Sequence, residues 1–338
     1  MLFEHHYGID LGTDTIKIYE QKKDIIRKEK NMIAIKDHDT VFAVGNDAFE
    51  MFERTPANIE VVTPMTNGRI SDVLLIEVIL HAALEKEHAS LGTNPILYFS
   101  VPAGMSEIEK RIYSSISHRG TLKKSKVYLV EQPIADAIAL AIPILNTKGS
   151  MILNFGAHSL EMSVITEGRI ILNKTLPYGG DTLDLAIAAA IRRRNSFQVS
   201  LKSASGLKNS LVFLGNSSLE ARKVMGTDTI TGLPRDGIIS SNTVTRAVQD
   251  QLITIAEEIK KFLDRIPPQI RTVVTEEGIY LTGGTTRIKG IDKFFMEYLS
   301  IPVRLSQYYE SCTICGLKEL IDNPLLHHWA FMPKKRKT

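Results

Sequence analysis

A pattern of strand, glycine turn and strand occurs twice in this chain, and it constrains the fold more than any other feature. The first copy covers residues 7–19, where apolar and β-branched residues flank Gly12. The second copy covers residues 151–164 and bends at Gly156. Patterns typical of further strands and helices follow each copy. The sequence therefore predicts two related α/β lobes with a cleft between them.

Composition agrees with this prediction and excludes several classes of protein. The chain has 338 residues, of which 43% are hydrophobic and 23% charged, as in an ordinary globular protein. The net charge of +3 is too small to indicate a nucleic acid partner. The two cysteines, Cys312 and Cys315, exclude a disulfide scaffold, and no second pair completes a zinc site. We expect them to be buried thiols.

Local patterns predict individual elements. Periodic apolar residues predict helices over residues 71–88 and 243–266, the second ending at a Pro-Pro pair. Ser106 and Glu109 form the sequence signature of a helix start, and we expect an apolar stripe of isoleucines at 108, 112 and 116 to follow it. A serine-rich segment reaching to about residue 240 is expected to be looser.

No signal for export or membrane insertion is visible. The N-terminus has no apolar run of the length typical of a signal peptide. No stretch approaches the roughly 18 apolar residues of a transmembrane helix. We therefore expect a cytoplasmic protein.

Three glycine turns are candidates for binding a nucleotide. Backbone N–H groups of the first turn, which carries Gly12, Thr13, Asp14 and Thr15, can bind phosphate oxygens, and Asp10 before it can hold Mg²⁺ through water. The second turn carries Gly156, Ala157, His158 and Ser159. The third carries Thr282, Gly283, Gly284 and Thr285, where a base and α-phosphate could lie. One such turn is most often an ordinary hairpin, but three at these separations are far more specific.

Residues 8–13 (GIDLGT) resemble the first phosphate loop of the superfamily of actin, sugar kinases and heat-shock chaperones. Longer stretches resemble the MreB family specifically, in the family's order and over about residues 7–317. They are residues 54–59 (RTPANI), 64–72 (PMTNGRISD), 130–133 (VEQP), 179–184 (GGDTLD), 231–235 (TGLPR), 267–268 (PP) and 278–284 (GIYLTGG).

The resemblance implies an actin-like α/β fold of two lobes and four subdomains. By that resemblance, subdomain IA would comprise residues 1–32, 73–143 and 312–338, and subdomain IB residues 33–72. Subdomain IIA would comprise residues 144–180 and 243–311, and subdomain IIB residues 181–242. It also implies ATP and Mg²⁺ as ligands and head-to-tail filaments, formed alone or with a sister protein. These filaments would lie at the inner face of the cell membrane and organise the cell-wall elongation machinery.

The departures from the family pattern lie in the residues expected to contact the nucleotide. Asn154 stands where the family has an acidic residue, and an amide cannot supply that charge to Mg²⁺. Ala157 and His158 replace glycines, and a β-carbon would disfavour a positive φ there. His158 could donate to a phosphate oxygen, but crowding is the simpler expectation. The family's E-R-x-K falls at Ser205, Gly206, Leu207 and Lys208, where only the lysine is kept.

Gln132 stands where the family has the glutamate that polarises the attacking water. A glutamine can orient water but cannot accept its proton. Actin resembles this chain in having glutamine there, so we expect at most a slow ATPase that binds nucleotide weakly. Asp136, one helical turn further on, is expected either to restore a carboxylate near the γ-phosphate or to be solvated or capping the helix.

Two segments are candidates for membrane contact, and two other functions are alternatives to a filament-forming role. The loop over residues 88–95 holds only Leu91 as a large apolar residue, whereas aromatic residues before the Lys-Lys-Arg-Lys run at 334–337 suit an anionic surface. The alternative for that tail is a disordered, solubilising segment. A chaperone-like ATPase and a small-molecule kinase of the same superfamily are the alternative functions. The first lacks a following substrate domain, and the second lacks a clear catalytic base.

Overall fold

The structure, a computed structural model, describes residues 5–66, 68–85, 95–116, 122–123, 125–215 and 220–334. The chain divides into two compact units. Unit 1 runs up to Leu145 and resumes at Ser311, and unit 2 is Asn146–Glu310. The finer division into four subdomains remains a prediction.

Strands occur throughout both units. In chain order they are β1 (His6–Leu11), β2 (Thr15–Glu20), β3 (Ile25–Lys30), β4 (Ile33–Lys36), β5 (Thr40–Val44), β6 (Ile59–Val62), β7 (Met65–Thr66), β8 (Arg69–Ile70), β9 (Ile96–Val101), β10 (Lys126–Glu131), β11 (Ser150–Phe155), β12 (Leu160–Thr166), β13 (Arg169–Leu176), β14 (Phe197–Gln198), β15 (Ala221–Asp228), β16 (Pro234–Ser240), β17 (Ile279–Thr282) and β18 (Val303–Leu305).

Helices connect and cover these strands. They are α1 (Asn46–Met51), α2 (Val73–Glu85), α3 (Glu107–Ser115), α4 (Gln132–Ala139), α5 (Gly180–Asn195), α6 (Leu201–Leu211), α7 (Ser241–Leu263), α8 (Pro268–Glu277), α9 (Ile291–Leu299) and α10 (Cys312–Asp322). Among the helices of the described residues, none is both long enough and apolar enough to cross a membrane.

The two units have main sheets of the same topology, which confirms the internal repeat. In unit 1 the strand order is β10-β9-β1-β2-β3, and in unit 2 it is β13-β12-β11-β17-β18. Each sheet contains three consecutive antiparallel strands, and its first strand also pairs in parallel with later ones. Glycine turns thus follow β1 and β11 at equivalent positions, at the carboxyl ends of the parallel strands, where α/β sheets commonly bind ligands.

Several helices form where the patterns predicted them. Ser106 and Glu109 make the full capping box of α3, with backbone and side chain bonded in both directions. Helix α7 buries one periodic apolar face in the core of unit 2. The isoleucine stripe of α3 is only partly correct, because Ile108 is 70% exposed while Ile116 is buried. Helix α2 is described as Val73–Glu85, and residues 86–88 of the predicted helix lie outside the described residues.

The serine-rich segment is more ordered than predicted, since it contains α6 and the hairpin of β15 and β16. In that hairpin Gly226 pairs with Arg235 and Gly237 pairs with Val224, and both glycines lie against the buried ring of Phe197. A β-carbon at either glycine would lie 2.6 Å from a ring atom of Phe197, so only glycine fits. The local sequence is short of apolar residues and did not predict this hairpin. Its two glycines pack against Phe197, which is distant in the sequence.

The C-terminal segment of the described chain folds back onto unit 1. Phe331 pairs with Leu129 of β10 through two backbone hydrogen bonds of 2.8 and 3.0 Å. The ammonium of Lys110 lies 5.2 Å from the centre of the Phe331 ring. Of the two cysteines, Cys312 is buried, whereas Cys315 is only half-buried.

Candidate functional site

The first glycine turn joins β1 to β2 and is held closed by Asn31. The side-chain amide of Asn31 donates to the Gly12 carbonyl over 3.0 Å, and its backbone N–H donates to the Asp14 carbonyl over 2.9 Å. A β-carbon at Gly12 would lie 2.5 Å from the Thr15 carbonyl oxygen, so the turn requires glycine. The four predicted residues of this turn therefore form one fixed backbone loop in unit 1.

Asp10 precedes this turn, and each of its carboxylate oxygens accepts a hydrogen bond from a protein donor. The Lys17 ammonium donates to its Oδ2 over 2.9 Å, and the Ser100 hydroxyl donates to its Oδ1 over 2.9 Å. Asp10 and Lys17 face each other across the β1–β2 ladder, and both are only 6% exposed. Asp10 is thus half of a buried ion pair.

The second carboxylate of the turn is also paired with a lysine. Lys30 of β3 donates to both oxygens of Asp14, over 2.7 and 2.8 Å. The Thr15 hydroxyl adds a bond of 2.7 Å to the same carboxylate. Each acidic side chain of the turn therefore has its own cation from the chain.

These contacts bear on the Mg²⁺ expected at Asp10. A carboxylate that holds a hydrated magnesium ion needs oxygens available to the ion or its waters. Both Asp10 oxygens accept from protein donors, one of which is already a cation. Within the described ranges, no group of three or more His, Cys, Asp or Glu side chains could hold a metal. The donors present do not fit the expected magnesium role.

Gln132, the predicted water-orienting residue, is the first residue of α4 and follows β10. Its side-chain amide donates to the Thr313 hydroxyl over 3.5 Å, and that hydroxyl donates to Asp136 over 2.7 Å. Asp136 is fully buried between α4 and α10. It is therefore neither solvated nor a helix cap, contrary to expectation, and Thr313 links it to Gln132.

The second glycine turn lies in unit 2 and packs against the start of α5. The Gly156 N–H donates to the Ser159 carbonyl over 2.9 Å and closes the turn. The N–H groups of Gly180 and Asp181 donate to the carbonyls of Gly156 and Ala157, over 3.1 and 3.0 Å. The predicted turn is therefore fixed by the start of α5.

The substituted positions in this turn are not strained. Neither Ala157 nor His158 has a positive φ, so the expected conformational cost of a β-carbon is absent. The His158 Nε2 lies 3.6 Å from an Asp181 carboxylate oxygen, and its side chain is one-third exposed. The family's glycines are thus replaced without distortion, and His158 faces an acid.

The third glycine turn joins the second one in unit 2. The Thr285 hydroxyl donates to the Gly156 carbonyl over 2.7 Å. Gly283 has a φ of +95°, and a β-carbon there would lie 2.4 Å from the Phe155 carbonyl oxygen. The residues before and after it, Thr282 and Gly284, continue the strand and begin a short helical turn. Two predicted loops therefore form one cluster.

Lys208 connects α6 to the same cluster. Its ammonium donates to the Gly180 carbonyl over 2.7 Å and lies 2.8 Å from the Asp184 carboxylate. Burial raises the pKa of Asp184, against the lowering effect of Lys208. Of its predicted neighbours, Leu207 lies in the core, and Gly206 faces open space. The lysine is therefore committed to a buried ion pair beside the second turn.

The structure groups the predicted residues by unit. Unit 1 holds the first turn and Gln132, and unit 2 holds the second and third turns with Lys208. Sequence reasoning missed Lys17, Asn31 and Thr313. Lys17 did carry a signal, because it is a lysine between two isoleucines of a strand. The other two are ordinary polar residues whose roles depend on distant contacts.

Comparison with solved structures defines the class of fold as actin-like. MreB5 of Spiroplasma citri, solved with AMPPNP, matches with a TM-score of 0.90 at 22% identity over 96% of this chain and 99% of that one. The MamK double helical filament matches with a TM-score of 0.77 at 18% identity, covering 95% and 99%.

Sequence comparison gives the family. The MreB/Mbl protein family model matches residues 4–327. The cell shape-determining protein MreB of Escherichia coli (strain K12) is 30% identical over 325 residues, which cover 93% of this chain and 92% of that protein. The cell shape-determining protein Mbl of Bacillus subtilis (strain 168) is 27% identical, covering 95% and 97%. The chain belongs to the MreB/Mbl family.

Proposed function

We propose that this protein binds an ATP-type nucleotide and assembles head to tail into filaments that organise cell-wall synthesis at the inner face of the cell membrane. The observation that carries nucleotide binding is the unit 2 cluster, in which hydrogen bonds hold two glycine turns against a helix start. Glycine turns and helix starts suit the binding of phosphate oxygens. The MreB5 structures bound to AMPPNP and to ADP support this proposal.

Each unit has its own set of proposed nucleotide-binding residues. They are Gly12, Thr13, Asp14 and Thr15 of unit 1, and Gly156, Ala157, His158, Ser159, Ser205, Gly206, Leu207, Lys208, Thr282, Gly283, Gly284 and Thr285 of unit 2. Hydrolysis is slow or absent, because Gln132 has no proton-accepting carboxylate and Asn154 has no charge.

A surface of unit 2 suits self-assembly. We call it the hairpin surface and define it as Met225, Ile230, Leu233 and Ile238, which are 72%, 82%, 65% and 73% exposed. Several large apolar side chains exposed on one hairpin and its turn are a candidate for a protein contact. We assign it to a second copy of this chain, because a head-to-tail contact between different surfaces continues into an open filament.

The turn that bears Ile230 and Leu233 is fixed by Asp228. Its carboxylate accepts from the N–H groups of Ile230 and Thr231 over 2.9 and 3.0 Å, and from Arg235 over 2.8 Å. The Arg235 guanidinium also lies 4.8 Å from the centre of the Phe197 ring. Because the turn is already ordered, little conformational entropy is lost when its apolar side chains are buried on assembly.

Membrane attachment is assigned to the C-terminal segment. Phe331 is anchored on β10, while the side chain of Met332 is 52% exposed and Lys334 is exposed. Residues 335–338, which continue the basic run, lie outside the described part of the chain, as does most of the alternative loop at 88–95. Basic residues near an anionic surface contribute about 1 kcal/mol each.

The proposal is tested by titrating a fluorescent ATP analogue into the purified protein and sedimenting the same samples. Saturable binding together with nucleotide-dependent pelleting is the expected result. Pelleting without nucleotide binding would support a structural filament and contradict the proposed nucleotide site. The proposed filament would be contradicted if the protein binds nucleotide but stays in the supernatant, both alone and with a sister protein of the family.

Variants locate the contact surface. Ile230→Asp with Leu233→Asp should abolish pelleting, because two buried charges at an assembly contact are not compensated. The matched control is Leu185→Asp on α5, where the wild-type side chain is 54% exposed. Equal loss of pelleting in the control and the double variant would argue against the hairpin surface.

Deletion of residues 333–338 tests membrane attachment. We expect weaker binding to vesicles containing anionic lipid and no change with neutral phosphatidylcholine vesicles, where the electrostatic attraction is absent. Unchanged binding to anionic vesicles would move the attachment elsewhere on the chain. The chaperone-like and kinase alternatives are not favoured by the family match; phosphotransfer to a small molecule would revive the kinase.

A further inference from the structure

The Lys17 ammonium lies at the first glycine turn rather than at the surface. Its Nζ would be 3.7 Å from a β-carbon placed on Gly12, so it lies close beside the backbone of the turn. Asp10 holds it there over 2.9 Å, and the pair is almost completely buried. The position of this charge is therefore set by the sheet, because the two residues are directly opposite in the β1–β2 register.

The ammonium retains capacity to bind a second anion. A lysine has three N–H donors, and Asp10 takes one of them. Among the described residues, no other hydrogen-bond acceptor of Lys17 is seen. A compact ammonium with donors to spare, fixed beside a phosphate-binding turn, is itself a phosphate ligand.

Each carboxylate of the same turn already has a lysine as its counter-charge. Lys17 and Ser100 engage both oxygens of Asp10, and Lys30 engages both oxygens of Asp14. A magnesium ion held here would have to displace a lysine from its carboxylate and bring two cations close together, which is unfavourable. The positive charge at this turn is therefore supplied by lysine side chains of the protein itself.

We propose that Lys17, held by Asp10, takes the place of a divalent cation at the first glycine turn, so that this protein binds nucleotide phosphates with little dependence on Mg²⁺. This inference rests on the proposed nucleotide binding. It concerns affinity, and it assigns Lys17 as a binding residue for the phosphate groups of the nucleotide.

The wild-type protein tests the inference directly. The dissociation constant of a fluorescent ATP analogue is measured in excess Mg²⁺ and again in EDTA, and we expect the two values to agree within about threefold. Affinity that falls more than roughly tenfold in EDTA would overturn the inference and keep the proposed nucleotide site. Absence of binding in both buffers would remove the proposed site and the inference with it.

A pair of charge-matched variants tests the residue. Lys17→Met should weaken binding in EDTA by roughly tenfold or more, since a charge-assisted contact is lost. It should also make binding respond to Mg²⁺, because Asp10 is released to hold a hydrated ion. Lys28→Met is the control, since Lys28 faces Lys17 across the β2–β3 register but is exposed. Equal effects in both variants would contradict the role of Lys17.

The fold of the variant is secured by a second substitution. Lys17→Met leaves Asp10 buried without its cation, so Asp10→Asn with Lys17→Met is prepared as a neutral counterpart. If only the double variant folds, it should show the same roughly tenfold weakening in EDTA, without the gained response to Mg²⁺. Wild-type affinity in the double variant would overturn the inference.

Discussion

The Thr313 hydroxyl donates to the buried carboxylate of Asp136 over 2.7 Å and so joins α10 to α4. A hydroxyl has one proton to donate, and here it is given to Asp136. Towards Gln132 it can therefore only accept, which fixes the side-chain amide of Gln132 with Nε2 towards Thr313. The carbonyl oxygen of Gln132 is left on the other side of the amide, where it can accept a hydrogen bond from water.

Thr313→Val removes a hydrogen bond to the buried carboxylate of Asp136 and should lower the free energy of unfolding by about 1–3 kcal/mol. Urea unfolding followed by circular dichroism measures the change. Thr313→Ser keeps the hydroxyl and is the control, for which we expect a much smaller loss. A serine variant as unstable as the valine variant would show that the methyl group, and not the hydrogen bond, stabilises this contact.

Gly316→Ala should destabilise unit 1 because α10 crosses α4 at this residue. A β-carbon there would lie 1.8 Å from the Ala135 carbonyl oxygen, so the helices must separate. Overpacking of this kind costs about 1–3 kcal/mol or more, measurable as a lower urea midpoint.

Gly206→Ala is the matched control for Gly316→Ala. Gly206 lies within α6 with no neighbouring atom inside 4 Å of a new β-carbon. Alanine there should stabilise the protein by roughly 0.5–1 kcal/mol through helix propensity. Destabilisation by both substitutions would mean that crowding at Ala135 is not the cause.

Lys208→Met should destabilise unit 2 in a pH-dependent way. It leaves the buried Asp184 carboxylate unpaired, and breaking such a pair costs roughly 3–5 kcal/mol near neutral pH. The pKa of Asp184 is already raised by burial and should rise further without the lysine. A raised folded-state pKa stabilises the protein below the unfolded value, and this stabilisation is lost as the pH rises through the folded value.

The loss in Lys208→Met should therefore be smaller near pH 4 than near pH 7, by about 1 kcal/mol or more. Urea unfolding at pH 4 and pH 7 measures this difference in the free energy of unfolding. With Asp184→Asn, the pH dependence that comes from this carboxylate should disappear. A loss of equal size at both values would mean that the lysine stabilises the fold through packing rather than charge.

Asp228 should titrate far below an ordinary aspartate. Hydrogen bonds from the N–H groups of Thr231 and Ile230, with Arg235 as a smaller cause, lower its pKa from 3.8 to about 2. The stabilisation that the ionised Asp228 gives to the turn is present above pH 3.8. It is lost as the pH falls towards about 2. Carboxyl resonances followed by NMR measure the midpoint.

Arg235→Met should raise the pKa of Asp228 only in part, because the backbone donors remain. A full return to the ordinary value would make the arginine the main cause.

The sheets of both units could be predicted from sequence because their signals are local. The turn at Gly12 and the turn at Gly156 each lie between strands that pair with their neighbours in the chain. The hairpin of β15 and β16 could not be predicted, since Gly226 and Gly237 depend on Phe197, which lies about 30 to 40 positions earlier.

The candidate site was predictable in its backbone and much less so in its charges. Glycine turns can be recognised from the sequence, whereas the residue with which a lysine forms an ion pair cannot. Asp136 illustrates the difference, because its spacing from Gln132 was visible but its burial against Thr313, 177 positions away, was not. The same holds for Asp10, whose engagement by Lys17 and Ser100 depends on the pairing of three strands.

The backbone pairing of Phe331 with Leu129 has a practical consequence for imaging this protein in cells. A fluorescent protein fused a few residues after Phe331 would compete with that sheet-edge contact for space. The exposed turn at Asp37, His38 and Asp39, between β4 and β5, is a better place for a label. An insertion there interrupts no packed side chain, because tips of exposed turns tolerate added chain.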